Sequence, residues 1–237
     1  MEAGARAVLF DAAGTLIAPR EPPGETYARA ARACGIEACA RRLGEALVQS
    51  LARAPRMVFP GAAAAEIDAL ERAWWSEVTG ATFERAGVRA APGALRACFD
   101  RLFACFASAD AWIVAEGAHA ALAALRARGF ATGVVSNFDR RLFGILDGLS
   151  LRARLDLVVL PSLAGAAKPD PAIFAFALAA LGLPAQCAIF VGDDRAHDLD
   201  PARAAGMHAI DVQSLATLAD LPDRIATESR PPNEEKR

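Results

Sequence analysis

Apolar residues follow two different patterns along the chain. Near the start, Ala7-Val8-Leu9-Phe10 is an unbroken apolar run halted by Asp11 and a turn containing Gly14, as expected of a strand buried on both faces. Similar runs return late, at residues 132–135, 155–160, 187–191 and 208–212. Between them apolar positions recur at helical spacing over 117–128, 140–149, 171–181 and 201–205. Strand and helix in alternation predict an α/β fold with a parallel, Rossmann-like sheet wrapped by helices. Residues 171–192 carry no charge and match the roughly 20 residues of a membrane span, but their punctuation divides them. Asp170-Pro171 starts a helix, Gly182-Leu183-Pro184 ends it, and a strand follows.

From residue 17 to about residue 110 the strand-like runs vanish. Alanine, leucine and arginine recur at helical spacing through 27–33, 43–52, 62–78 and 95–107, which predicts an inserted helical subdomain with Trp74 and Trp75 packed inside it. Linkers are expected at 19–24 and 108–111. The α/β core then comprises residues 1–16 and 111–228, and the helical cap 17–110. The last residues, 229–237, hold two prolines and mixed charges without periodicity, so a disordered tail is expected there.

Composition removes several function classes. With 54% hydrophobic and 23% charged residues, the chain is too apolar to be disordered. Lys and Arg number 26 against 28 Asp and Glu, so no basic field exists to hold nucleic acid. The five cysteines form no C-x-x-C pair and no signal-like segment opens the chain, from which a reduced, cytoplasmic protein without a membrane partner is expected. Only Lys168 and Lys236 are lysines, so a reaction needing an amine has few candidates.

In an open parallel sheet, ligands bind at the carboxyl ends of the strands. Asp11 and Thr15 follow the first expected strand, Ser136 and Asn137 the second, Lys168 the third, and Asp193, Asp194 and Asp198 the fourth. A carboxylate nucleophile, hydroxyls, an ammonium and further carboxylates are the parts needed to hold Mg²⁺ and a phosphoryl group. Taken singly, each residue has a plainer reading. Asp11 suits a turn, Ser136 a helix cap, Lys168 a surface loop, and Asp198 a helix start.

Together they resemble a known pattern. FDAAGTL at 10–16, VVSN at 134–137, KPDPAIF at 168–174 and VGDDRAHDLDPARAAG at 191–206 are similar, in order, to the four motifs of the haloacid dehalogenase superfamily. The helical insertion resembles the cap of that superfamily's subfamily I. The resemblance implies that Asp11 is the nucleophile of an aspartyl intermediate, oriented by Thr15, and that Ser136, Asn137 and Lys168 bind substrate. Lys168 would also offset the negative charge gathered there. Mg²⁺ would be held by Asp11, the carbonyl oxygen of Ala13 and Asp193, with Asp198 as a metal-site or outer partner.

One departure shapes the expected function. Phosphatases of the superfamily usually carry a second aspartate, acting as general acid and base, where this chain has Ala13. Proton transfer of that kind is worth about 10²–10⁴ in rate, so the expected phosphatase-type enzyme favours small phosphorylated metabolites with good leaving groups, as a monomer or homodimer. His197 is a candidate replacement proton carrier, and Arg20, Glu21 and Glu25 lie near the expected hinge. Two alternatives accompany this reading: a metal-free 2-haloacid dehalogenase, and a weakened relative serving in binding or regulation. Phosphonate hydrolysis by the family's route needs a cap lysine, and residues 17–110 contain none.

Overall fold

The structure, a computed structural model, describes residues 6–228; the tail expected at 229–237 lies outside them. In chain order the elements are β1 (Ala7–Phe10), β2 (Ile17–Pro19), α1 (Pro23–Ala33), α2 (Ala40–Arg53), α3 (Ile67–Arg85), α4 (Pro92–Ala107), β3 (Trp112–Val114), α5 (Ala118–Ala127), β4 (Ala131–Val135), α6 (Arg141–Gly148), β5 (Leu157–Val159), α7 (Pro161–Ala164), α8 (Pro171–Leu181), β6 (Ala188–Gly192), α9 (Asp200–Ala204), β7 (His208–Asp211) and α10 (Leu221–Glu228). They divide between two compact units. One holds the residues up to Ala18, Val114–Phe138 and those from Leu149 onward; the other holds Pro19–Ile113 and Asp139–Gly148.

In the first unit, five parallel strands form a sheet in the order β5-β4-β1-β6-β7. The first strand takes the centre because all four of its side chains are apolar and it can be covered on both faces. Ala7 and Leu9 join Ile173, Phe174 and Phe190 in one core cluster, with the Phe174 and Phe190 rings edge to face at 5.2 Å. Val8 and Phe10, equally buried, face the opposite side by the strand's period of two. Sequence punctuation sets α8: the Asp170 side chain caps the Ala172 amide at 3.0 Å, and Gly182 closes the helix at φ 64°.

Four helices and α6 make up most of the second unit. Tyr27, Leu43, Phe83, Cys98 and Leu102 form its core, with Trp74 and Trp75 half-buried against it. Gly24 lets α1 approach α2, since a Cβ there would collide with the Ala40 carbonyl. No helix among the described residues is long and apolar enough to cross a membrane.

The structure departs from the sequence expectations in five places. The helix expected over 62–78 begins at Ile67 and continues to Arg85, because residues 62–66 turn and the Glu66 carboxylate accepts the Ala63 amide at 2.8 Å. The strands β2 and β3, which pair as a small two-stranded sheet, were not expected, and the expected 19–24 linker is helical from Pro23. The helical unit runs over Pro19–Ile113 rather than 17–110. It also takes in Asp139–Gly148, expected in the core, because Asp139, Arg140 and Arg141 bond to Trp75, Glu71 and Phe103.

Candidate active site

At the carboxyl end of β1 the Asp11 amide donates to the Val191 carbonyl at 2.9 Å, which carries the strand pairing one residue further and fixes the Asp11 side chain at the sheet edge. A tight turn follows, in which the Ala12 carbonyl accepts the amides of Thr15, Leu16 and Ile17. Gly14, at φ 100°, lies against the Asp193 carboxylate so closely that any Cβ would collide with it. Through this turn the Thr15 hydroxyl reaches Asp193 Oδ1 at 3.3 Å. Thr15, expected to orient Asp11, gives its hydroxyl to Asp193.

Lys168 is the hub of the cluster. It is 4% exposed, and its Nζ donates to Asp11 Oδ1 and to Asp198 Oδ1, each at 2.5 Å. Burial works against its charge, but the two carboxylates outweigh burial and raise the ammonium's pKa above its ordinary value. Its backbone is gripped as well. The Asn137 side chain accepts the Lys168 amide at 2.7 Å and donates to the Lys168 carbonyl at 2.9 Å. Both ends of that side-chain amide are therefore engaged in placing Lys168.

The acids are unequal. Burial first, then the charge of Asp11, raise the Asp193 pKa. Asp198 is raised too, by burial first and with Asp11 adding to it against the opposing pull of Lys168. Asp198 spends Oδ1 on Lys168 and Oδ2 on the Asp194 amide at 3.3 Å. It packs against Gly192, where a Cβ would come within 2.6 Å of it.

Ligand oxygens of Asp11, Asp193 and Asp198 lie within 4.8 Å of one another. Three carboxylates against one ammonium leave a negative surplus in a largely buried place, and hard oxygen donors are the set that Mg²⁺ prefers. The residues present fit that ion. Because both Asp198 oxygens are committed, Asp11 and Asp193 are the freer ligands. Ala13, two residues after Asp11, is exposed in the turn that follows β1.

Ser136 is 3% exposed at the end of β4, its amide bonded to the Val159 carbonyl at 3.1 Å. Other candidates serve elsewhere. His197 is exposed and its Nδ1 lies 3.0 Å from Asp194 Oδ2, while Asp194 caps the turn of Arg195–Leu199 by accepting the amides of Ala196 and His197. Arg20 donates to the Asp110 and Trp112 carbonyls, and Glu21 pairs with Thr26 and Arg29. Sequence reasoning missed the Asn137 bonds to Lys168, since nothing in Ser-Asn tells which backbone the amide will meet.

A profile of the haloacid dehalogenase-like hydrolases matches residues 5–206. The chain is 39% identical to a bovine (Bos taurus) protein, haloacid dehalogenase-like hydrolase domain-containing protein 3, over 86% of this chain and 80% of that one. Among solved structures, a defluorinating L-2-haloacid dehalogenase superposes with a TM-score of 0.71 at 18% identity, covering 94% of this chain and 95% of that one. A Bacillus subtilis protein assigned as a HAD-hydrolase, solved bound to magnesium, superposes with a TM-score of 0.67 at 17% identity, covering 94% and 99%. At such identities these structures speak for the fold. The profile and the bovine relative speak for more, and the chain belongs to the haloacid dehalogenase-like hydrolase family.

Proposed function

We propose that the protein is a Mg²⁺-dependent phosphatase-type hydrolase acting on a small phosphorylated metabolite through Asp11. The observation that carries this reading is Lys168 held at 2.5 Å from both Asp11 and Asp198 beside the Asp193 carboxylate. An Asp11 oxygen attacks phosphorus, the bond from phosphorus to the leaving oxygen breaks with its electron pair going to that oxygen, and water later cleaves the aspartyl phosphate to free Asp11. Lys168 offsets the charge that a phosphoryl group brings against Asp11, and Ser136, at the end of the adjoining strand, hydrogen-bonds the phosphoryl oxygens. Asp11 and Asp193 with the Ala13 carbonyl would hold Mg²⁺, which when bound would supply Lewis acidity. The magnesium found in the Bacillus subtilis relative supports this choice of ion.

Ala13 offers no proton, so the leaving group departs unprotonated, and aryl and acyl phosphates are preferred over alkyl phosphates. The acid cluster favours this reading over metal-free dehalogenation, because three clustered carboxylates exceed what Lys168 alone offsets and a cation would balance them. The test is hydrolysis of p-nitrophenyl phosphate and acetyl phosphate with and without Mg²⁺, in wild type, Asp11→Asn and Ala13→Asp. Magnesium-dependent turnover, abolished in Asp11→Asn and extended to alkyl phosphates in Ala13→Asp, is expected. Halide release from a 2-haloacid in the presence of chelator, with no phosphate released, would overturn the proposal.

A further inference from the structure

One aromatic side chain of the sheet has a neighbour that an apolar core does not call for. Phe190, on β6, is fully buried, and by the strand's period of two it shares a face with Ala188 and Gly192. Gly192 is where Asp198 packs, with no room for a Cβ. The Lys168 ammonium that bonds Asp198 lies over the Phe190 ring, its Nζ 5.5 Å from the ring centre. Phe174 holds that ring from α8, edge to face at 5.2 Å. Lys168, Phe174, Phe190, Asp11 and Asp198 all belong to the α/β unit.

Two carboxylates alone define a poor position for an ammonium. Asp11 and Asp198 each take an N–H at 2.5 Å, and a lysine head on its flexible four-carbon stem can still swing about the line that joins them. The negative face of an aromatic ring supplies a third direction. It attracts a cation within about 6 Å of its centre, most strongly where water is excluded. Lys168 is 4% exposed and Phe190 is 0% exposed, so the contact lies in such a place. At 5.5 Å the ring attracts the charge as a whole rather than accepting a hydrogen bond. An ammonium has three N–H groups, and a ring consumes none of them, whereas a third carboxylate would take the last. Leucine at this position would also suit a buried strand, but it offers the ammonium no negative face.

We propose that Phe190 is a positioning residue for Lys168: its ring, held by Phe174, fixes the ammonium between Asp11 and Asp198 and leaves one N–H for a phosphoryl oxygen. The part that concerns the phosphoryl group rests on the function proposed above. Phe190 acts through Lys168 and touches no reacting atom.

The contact is tested first without activity. The chain has only two lysines, Lys168 and Lys236, so lysine labelled with carbon-13 at Cε gives two signals, which Lys168→Gln assigns. Ring current from Phe190 should hold the Lys168 signal away from the position of a free lysine, and Phe190→Leu should return it there. A signal that Phe190→Leu leaves unmoved overturns the contact. The attraction is tested by placing mono-, di- and trifluorinated phenylalanine at position 190, which keeps the ring and progressively empties its face. Melting temperature should fall more steeply along this series in the wild-type background than in Lys168→Gln, and the same series at Phe174, in the same cluster, is the reference should Lys168→Gln fail to fold. Equal slopes overturn the attraction. In p-nitrophenyl phosphate turnover, kcat/KM should fall in step with fluorination, by about tenfold at the trifluorinated ring, and inhibition by orthophosphate should weaken in parallel. A packing role alone would not follow the emptying of the ring face. Turnover that stays level along the series overturns the positioning role. If wild type hydrolyses no phosphate ester, the proposed function fails, and the lysine signal with the melting series decides whether Phe190 holds Lys168.

Discussion

Replacing Asp193 by asparagine should stabilise the protein without metal and remove its response to metal. Oxygens of Asp11, Asp193 and Asp198 lie within 4.8 Å of one another, and two like charges at that separation repel by about 3.5 kcal/mol at an effective dielectric near 20. Asp193 faces two such partners, and Lys168 returns part of the cost. Since Asp193 is also partly exposed, removal of its charge is expected to gain about 1–2 kcal/mol, within the range of stabilising substitutions at strained functional sites. For a chain of this size that is about 2–8 °C in melting temperature. The sign with pH follows from the raised Asp193 pKa: the folded state holds the proton more tightly, so the cost of the charge appears as pH rises through the acid range and is absent below it. The advantage of Asp193→Asn should therefore be full at neutral pH and vanish in acid. Magnesium at 100 times its Kd adds about 2.7 kcal/mol to a protein that binds it only when folded. Calorimetry in EDTA and in MgCl₂ should thus show a crossing, with Asp193→Asn melting above wild type in EDTA and below it in magnesium. A variant that melts below wild type in EDTA, or that gains as much from magnesium as wild type does, would refute the reasoning.

Asn137→Ala leaves both Lys168 backbone groups without their partner, so kcat/KM for p-nitrophenyl phosphate should fall about tenfold and inhibition by orthophosphate should weaken with it; wild-type values for both would mean that Asn137 does not place Lys168. Asp156 is raised by burial but lowered more by Arg126 at 2.6 Å and the Thr132 amide at 2.9 Å. Its contribution is present above the unfolded carboxylate pKa and is lost as pH falls through the folded one, so Asp156→Asn should cost less than about 1 kcal/mol at neutral pH, and nothing in strong acid, by denaturant titration. The amides of Arg42 and Arg41 lower the exposed Cys39 thiol, whereas burial pushes Cys98 up to about 12. Iodoacetamide should therefore label Cys39 first and Cys98 only on unfolding, as read by mass spectrometry.

The parts of the fold that were legible are those where one local signal suffices. Ala7–Phe10 could be read as a strand from four apolar residues and a stop, and Pro171–Leu181 as a helix from Asp170 at one end and Gly182 at the other. Three-residue strands such as Ile17–Pro19 and Trp112–Val114 offer no period to detect. The grouping of Asp139–Gly148 with the helical unit depends on Trp75, Glu71 and Phe103, which lie far away in sequence. At the site, placing Asp11, Ser136 and Asp193 directly after strands, and Lys168 in a loop beyond β5, follows from topology. Which hydrogen bonds they make does not. The Thr15 hydroxyl turns to Asp193 because Gly14 lets that carboxylate approach, and the Asn137 amide turns to Lys168 because two loops meet there.

The central place of β1 also sets a timetable for synthesis. Ala7 pairs with Ala131 on one side and with Ala188 on the other, so β1 leaves the ribosome long before β6 and waits for it to complete its pairing. Asp11 emerges 182 residues before Asp193. Helices α1 to α4 consist of near neighbours and can gather meanwhile, whereas the sheet needs contacts of long reach and closes slowly. A nascent chain released before residue 188 carries Asp11 but neither Asp193 nor one of the two strands that flank β1. Until β6 is made, one edge of β1 stays unpaired, and an unpaired strand edge is a template for aggregation.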